Sequence, residues 1–290
     1  MRELAMMPGN SAGARLVVTS AAGANGDGYG TLLAFDAAGA PLGAFSVDDR
    51  IADPRGLAVD REGGLLYLNS GKHRVLALDE HGTVVRDTGP IEGLNPGGGV
   101  FGPDGRYYVG LRGARTLLAL PARLDAAGAL VLPREIVPFP RGFGFARDGR
   151  LFLASGIGPN GEGENAIIAF APDERVRLRW RVSDPQLSPL DLTIGPSGNI
   201  VVSSEFPFGT PEAITGIREY DPIDGRLVRV LSADKVASLR RPRGLRFGPD
   251  GNLYCAAAEE VVAFDYATGR CLGAAVRLPR LNGQAIAFFP

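Results

Sequence analysis

The stretch GLAVDREGGLLYLNS (56–70) is an apolar run, a charged turn containing glycine, and a second apolar run. That pattern spells a β-hairpin. It returns four times: GVFGPDGRYYVGL (99–111), GFGFARDGRLFLASG (142–156), DLTIGPSGNIVVSSE (191–205) and GLRFGPDGNLYCAA (244–257). The turn glycines Gly63, Gly105, Gly149, Gly198 and Gly251 stand 42, 44, 49 and 53 residues apart. After each hairpin comes another pair of alternating runs, such as HRVLALDEHGTVVRD (73–87) and GIREYDPIDGRLVRVL (216–231). Four strands per unit of this length make the blade of a β-propeller.

The ends of the chain set the number of blades. Residues 1–46 supply three strands without an opening run, and QAIAFFP (284–290) is an opening run with nothing after it. Ile286 and Phe288 match Leu57 and Val59 in phase, and AGARLVVTS (12–20) matches EGGLLYLNS (62–70). The reading is therefore an all-β, six-bladed propeller in which the C-terminal strand completes the first blade. One domain over 1–290 is expected. Blade 1 takes 284–290 plus 12–46, and the others take 54–88, 97–133, 141–182, 190–231 and 243–276. SADKVASL (232–239) is the best candidate for a short helical turn, with Ser232 as its cap.

Composition narrows the function classes. The 290 residues carry 31 basic and 32 acidic side chains, for a net charge of −1. Such a balance lacks the footprint of a nucleic-acid binder. No apolar run is long enough to span a bilayer, and MRELAMMPGNSAG at the start has no signal-like apolar stretch. A cytoplasmic protein with no membrane partner is expected. His73, His81, Cys255 and Cys271 are the only residues of their types, too few for a three-histidine or cysteine-rich zinc site. The cysteines fall on the second and fourth strands of one blade, too far apart for a disulfide, and read as buried thiols. His73 reads as a packing residue and His81 as a solvated turn residue.

PRGLAVDREG, PRGLRFGPDGNLY and NSGKHRVLALDEHG resemble NHL repeats. SGKHRV is similar to the Asn-His-Leu signature, with Lys72 where that family often has Asn. Propellers of this style include non-catalytic interaction modules, the gluconolactonase/regucalcin family of metal-dependent lactonases, and streptogramin lyases. The resemblance implies a site at one mouth of the central channel. In the lactonases the metal ligands sit one residue before the glycine that opens an innermost strand. The matching positions here are Arg55, Gly97, Arg141, Leu190, Arg243 and Gln284, with neither a carboxylate nor the histidine a lyase would place there.

Pro-Arg-Gly opens blades two, four and six, at 54–56, 140–142 and 242–244. Arg55, Arg141 and Arg243 are thus expected to converge on one mouth. There they either bind an anion bidentately or latch blades together through carboxylates such as Asp53, Asp191 or Glu92. Asp191 replaces a strand-opening glycine, and Glu205 precedes the loop FPFGTPEAIT. Both are candidates for proton transfer, with the alternative that they only satisfy arginines or edge the rim. With an Asn carbonyl they are also the candidates for a calcium or magnesium site. Asn69, Asn160 and Gln284 complete the candidate substrate-binding set, while Asn25, Asp27, Lys72, Glu162 and Ser204 add polar groups to the loops. The expected ligand is a small anionic or carbonyl-bearing molecule acted on by a hydrolase or lyase. The alternative is a non-catalytic module that binds a protein or metabolite.

Overall fold

The computed structural model describes residues 16–289 apart from 23–27, 61, 63, 95, 133–138, 159–160, 162, 172–177, 183, 185, 206–214 and 234–235. Among the described residues twenty-four strands form six four-stranded antiparallel sheets. Five sheets are consecutive in the chain. The sixth is β24 (Gly283–Phe288), β1 (Leu16–Ser20), β2 (Leu32–Phe35) and β3 (Pro41–Ala44), in that order. Val18 pairs with Ile286 and Leu16 with Phe288, so the opening run at 284–290 does complete the first blade.

The innermost strands are β24, β4 (Leu57–Val59), β8 (Pro96–Phe101), β12 (Pro140–Phe145), β16 (Pro189–Ile194) and β20 (Leu245–Phe247). Each touches the next, and β20 touches β24, so the ring closes. Six apolar cores lie between neighbouring blades. Leu57, Leu68 and Leu76 meet Val17, Leu32 and Ala287 between blades 1 and 2. Phe152, Ile167 and Leu192 meet between blades 4 and 5. Successive residues in each strand face opposite neighbours, as Leu66 and Leu68 face blade 1 while Tyr67 faces blade 3, which is why both faces of every blade are apolar.

The hairpin turns follow the glycines. Gly105, Gly149, Gly198 and Gly251 all have φ between +74° and +88°, the region that glycine reaches without penalty. In blade 2 the left-handed glycine is Gly64, at φ +64°; Gly63 lies outside the described residues. No helix occurs among the described residues. The expected helical turn at 232–239 is instead a tight turn in its described part, with the Val236 amide donating to Ala233 O. Residues 234 and 235 of that stretch lie outside the described residues. Cys255 on β21 (Leu253–Ala256) and Cys271 on β23 (Cys271–Arg277) flank β22 (Glu260–Phe264) as buried thiols. Burial pushes the Cys255 thiol far above its ordinary range.

Candidate functional site at the axial mouth

A local irregularity positions the site. In every blade the two residues that begin the inner strand oppose a single residue of the second strand. In blade 2 the Arg55 amide donates to Asn69 O while the Asn69 amide donates to Gly56 O. Blade 6 repeats this with Arg243, Gly244 and Ala256. Register shifts between Pro96 and Gly99, Pro140 and Phe143, Pro189 and Leu192, and at Ser20/Thr19 opposite Gln284 mark the same feature elsewhere. These are β-bulges, which bend a strand and re-aim a side chain. Polar residues opposite them fasten blade to blade: Thr19 Oγ1 donates to Arg55 O at 3.2 Å, and Ser203 Oγ to Arg243 O at 2.6 Å. Asn69 Nδ2 reaches Gly97 O and Gly98 O at 3.1 and 3.2 Å.

The bulge side chains surround a small axial cavity of about 40 Å³, lined by Arg55, Gly97, Leu190, Asp191, Arg243 and Gln284, with Arg112 and Arg246 among the other walls. Of the three expected arginines, two line it. Arg55 Nη2 lies 2.8 Å from Asp53 Oδ2, and its Nη1 donates to Gln284 Oε1 at 2.7 Å. Arg243 Nη2 lies 2.8 Å from Glu205 Oε2, while Arg241 approaches Glu205 Oε1 at 3.3 Å. Arg141 is turned into the wall between blades 4 and 5, 6% exposed. It donates to Pro189 O and Ile157 O at 3.2 and 2.8 Å and lies over the Phe139 ring. The latch and the open mouth therefore coexist.

Asp191 sits on the cavity wall with Oδ2 accepting from the Leu245 amide (2.9 Å) and from Arg246 Nη1 (3.2 Å). It straps blade 5 to blade 6. Glu205 is 3% exposed behind Arg243. Asn69 is fully buried, its amide also accepting from Tyr107 OH at 2.9 Å. Asn160, Asn25, Asp27, Glu162 and the loop FPFGTPEAIT, except Thr215, fall outside the described residues. Ser204 is buried and accepts from the Ser188 amide at 3.0 Å, and Lys72 reaches back to Asp49 O. His73, at φ +59°, is held through Nδ1 by Leu94 O, and His81 is exposed beside Glu80.

Two arginines of the cavity lie outside the Pro-Arg-Gly pattern. Arg112 follows β9 (Tyr107–Leu111) and stands in blade 3, where the bulge carries only Gly97 and Gly98. Its Nε is buried without a partner, and among the described residues its side chain makes no hydrogen bond or ion pair. It rests only near the Phe139 ring, 5.9 Å from the centroid. Burial, reinforced by the like charges of Arg141, Arg55 and Arg243, pulls its pKa down to about 9. Burial and Arg243, against Glu205, bring Arg141 to about 10. Arg246 crosses from blade 6 past blade 1, with Nη2 donating to Leu57 O of blade 2 at 2.9 Å. Its guanidinium thereby lies within the channel.

These donors do not fit a divalent cation. Asp191 and Glu205 are each engaged by arginines, and the flanking charges repel a metal ion. Among the described residues no three His, Cys, Asp or Glu side chains gather as a metal site. No described helix is long and apolar enough to cross a membrane.

No family model and no curated protein matches the chain. Solved structures do share its fold. A gluconolactonase from Xanthomonas campestris is 21% identical, with TM-score 0.62, covering 81% of this chain and 79% of that one. A streptogramin B lyase is 14% identical, with TM-score 0.61, covering 83% and 74%. A chain of the nidogen/laminin complex is 15% identical, with TM-score 0.71, covering 96% of this chain and 99% of that one. At such identities the likeness establishes the six-bladed propeller and leaves the activity to the site.

Proposed function

We propose that the axial mouth binds a small anionic or carbonyl-bearing molecule, and that the protein acts on it as a hydrolase or lyase of lactonase-like type. The observation that carries this reading is Arg112, a guanidinium that makes no ion pair among the described residues, on the wall of a cavity shared with Arg55, Arg243 and Arg246. Even drawn down to about 9, the Arg112 guanidinium keeps its proton at neutral pH, so admitting an anion relieves such a cluster. Arg55, Arg112 and Arg243 would hold it. An anion competing for Arg243 would loosen that residue's contact with Glu205 and free a buried carboxylate to take up a proton. Asp191 is the lesser candidate for that role, because its contacts with the Leu245 amide and Arg246 fasten two blades.

The test combines a thermal-shift screen with a hydrolysis and elimination assay over small lactones, esters and carboxylates. Stabilisation by several of these and turnover of at least one are expected. Glu205→Gln should keep binding while turnover falls by about 10²-fold or more. A wild-type protein that neither shifts nor turns over any of them overturns the proposal.

A second reading, a module that binds without reacting, draws on the outer rim of blades 5 and 6. Ile223, Leu227, Val228, Val230, Val236 and Leu272 are all exposed there, the kind of surface a protein partner covers. Binding of carboxylates without turnover of any probe would favour it.

A further inference from the structure

We infer that Arg246 is the size-determining residue of the axial site, a septum that turns a through-going channel into a blind cup. This rests on the anion-binding reading and adds what limits the ligand.

The position of Arg246 needs no long side chain. It is the second residue of β20, and the matching residues of the other inner strands are Ala58, Val100, Gly144, Thr193 and Ala287. Five blades out of six therefore form with a short group at this place. The fold alone does not call for an arginine.

Its contacts show what the arginine adds. Nη1 donates to Asp191 Oδ2 at 3.2 Å and to Leu245 O at 2.6 Å, while Nη2 donates to Leu57 O at 2.9 Å. Asp191 belongs to blade 5 and Leu57 to blade 2. In a ring of six these blades stand opposite each other, so one guanidinium spans the bore from wall to wall. Both contacts are direct. Between that carboxylate and that carbonyl the bore is no wider than a guanidinium and its two hydrogen bonds. The bridge is also held in place. Asp191 Oδ2 is fixed by the Leu245 amide at 2.9 Å, and a planar fork bonded at both ends has little freedom to swing aside.

The septum sets the depth of the site. Arg246 and Asp191 line the same cavity as Arg55, Arg112 and Arg243, so the cationic mouth ends where the guanidinium crosses. The cavity of about 40 Å³ has room for about three waters. A small anionic group fits such a cup and a bulky one does not. Shortening Arg246 frees the space of its whole chain beyond Cβ and leaves the bulges that carry Arg55 and Arg243 untouched.

The test is calorimetric titration near neutral pH, in a chloride-free zwitterionic buffer, with three near-spherical monoanions of rising size: chloride, perchlorate and hexafluorophosphate. The wild-type protein should bind chloride saturably and hexafluorophosphate at least about tenfold more weakly. In Arg246→Ala the lost positive charge weakens all three, but equal charges cancel in their ratios. The ratio of hexafluorophosphate to chloride affinity should rise at least about tenfold. Arg246→Thr, which installs the residue that blade 5 carries at this place, serves as the second variant if the first does not fold. A wild-type protein that binds hexafluorophosphate as tightly as chloride, or a ratio unchanged in the variant, would overturn the septum and leave the anion site standing. Absence of binding of all three anions to the wild-type protein would overturn the anion-binding reading as well.

Discussion

Glu219, on the third strand of blade 5, is 2% exposed and accepts hydrogen bonds from Asn199 Nδ2 (2.6 Å), Arg229 Nε (2.5 Å) and Tyr266 OH (2.8 Å). Burial opposes its charge, but these three donors outweigh burial and hold its carboxyl below the ordinary 4.5. The folded state then binds fewer protons than the unfolded one as pH falls through the carboxylate range. The stabilisation is present above pH ~4.5 and lost as pH drops through the lower folded value. Glu219→Gln should cost about 3 kcal/mol at neutral pH and flatten the acid limb of a stability profile measured by urea unfolding. At the same scale, Gly244→Ala would press a methyl group to 2.6 Å from Ala285 Cα and 2.7 Å from Gln284 O. A loss of about 2 kcal/mol is expected from the same measurement. Arg55, Arg243 and Gln284 occupy a recurrent slot, so the repeat alone brings them to the cavity. Arg112 escapes that reading because it leaves the end of a second strand. Arg246 escapes it for another reason: it sits inside the pleat, at a position where the other blades carry Ala58, Val100, Gly144, Thr193 and Ala287. One long cation among those short side chains is the signal that could have found it. Arg141 has the expected letter at the expected place, yet nearby carbonyls draw it into the wall, which spacing cannot foretell.

Among the elements, the hairpins were the most legible, because the turn glycine and alternating apolar residues each have one physical meaning. The bulges were not, since an extra residue opposite a partner leaves no mark on periodicity. Their importance lies in what stands opposite. Asn69 fastens blade 2 to blade 3 through Gly97 O, Gly98 O and Tyr107 OH. Asn69→Ala would leave the Tyr107 hydroxyl and two carbonyls without that partner, and about 2–3 kcal/mol of stability should be lost. Asn69→Asp, which keeps the shape but loses the donor, should be no better in the same unfolding assay. The tight turn at 79–83 offers a milder case. Asp79 Oδ1 accepts from the amides of His81 and Thr83 at 2.9 and 2.8 Å, and Asp79→Ala should cost about 1 kcal/mol.

For the whole molecule, six blades follow from five visible hairpins plus the phase of 284–290, and the ring bears that count out. Each blade keeps an inner edge strand, and closure shelters those short edges around the channel, a protection that open sheets lack. Removing 283–289 takes away the strand paired with β1 and exposes Val17, Val18 and Leu33, all nearly inaccessible in the closed ring. The shortened protein should elute as aggregate on size-exclusion chromatography. A monomer that melts at the parent temperature would contradict the closure mechanism.

The fastening strand has a second duty. Gln284 rides on β24 into the cup, where its amide oxygen takes a hydrogen bond from Arg55 of the neighbouring blade. The seam of the toroid therefore runs through its own receptacle. Whatever lodges there rivets that seam shut, and a torus that springs open must first let its occupant go.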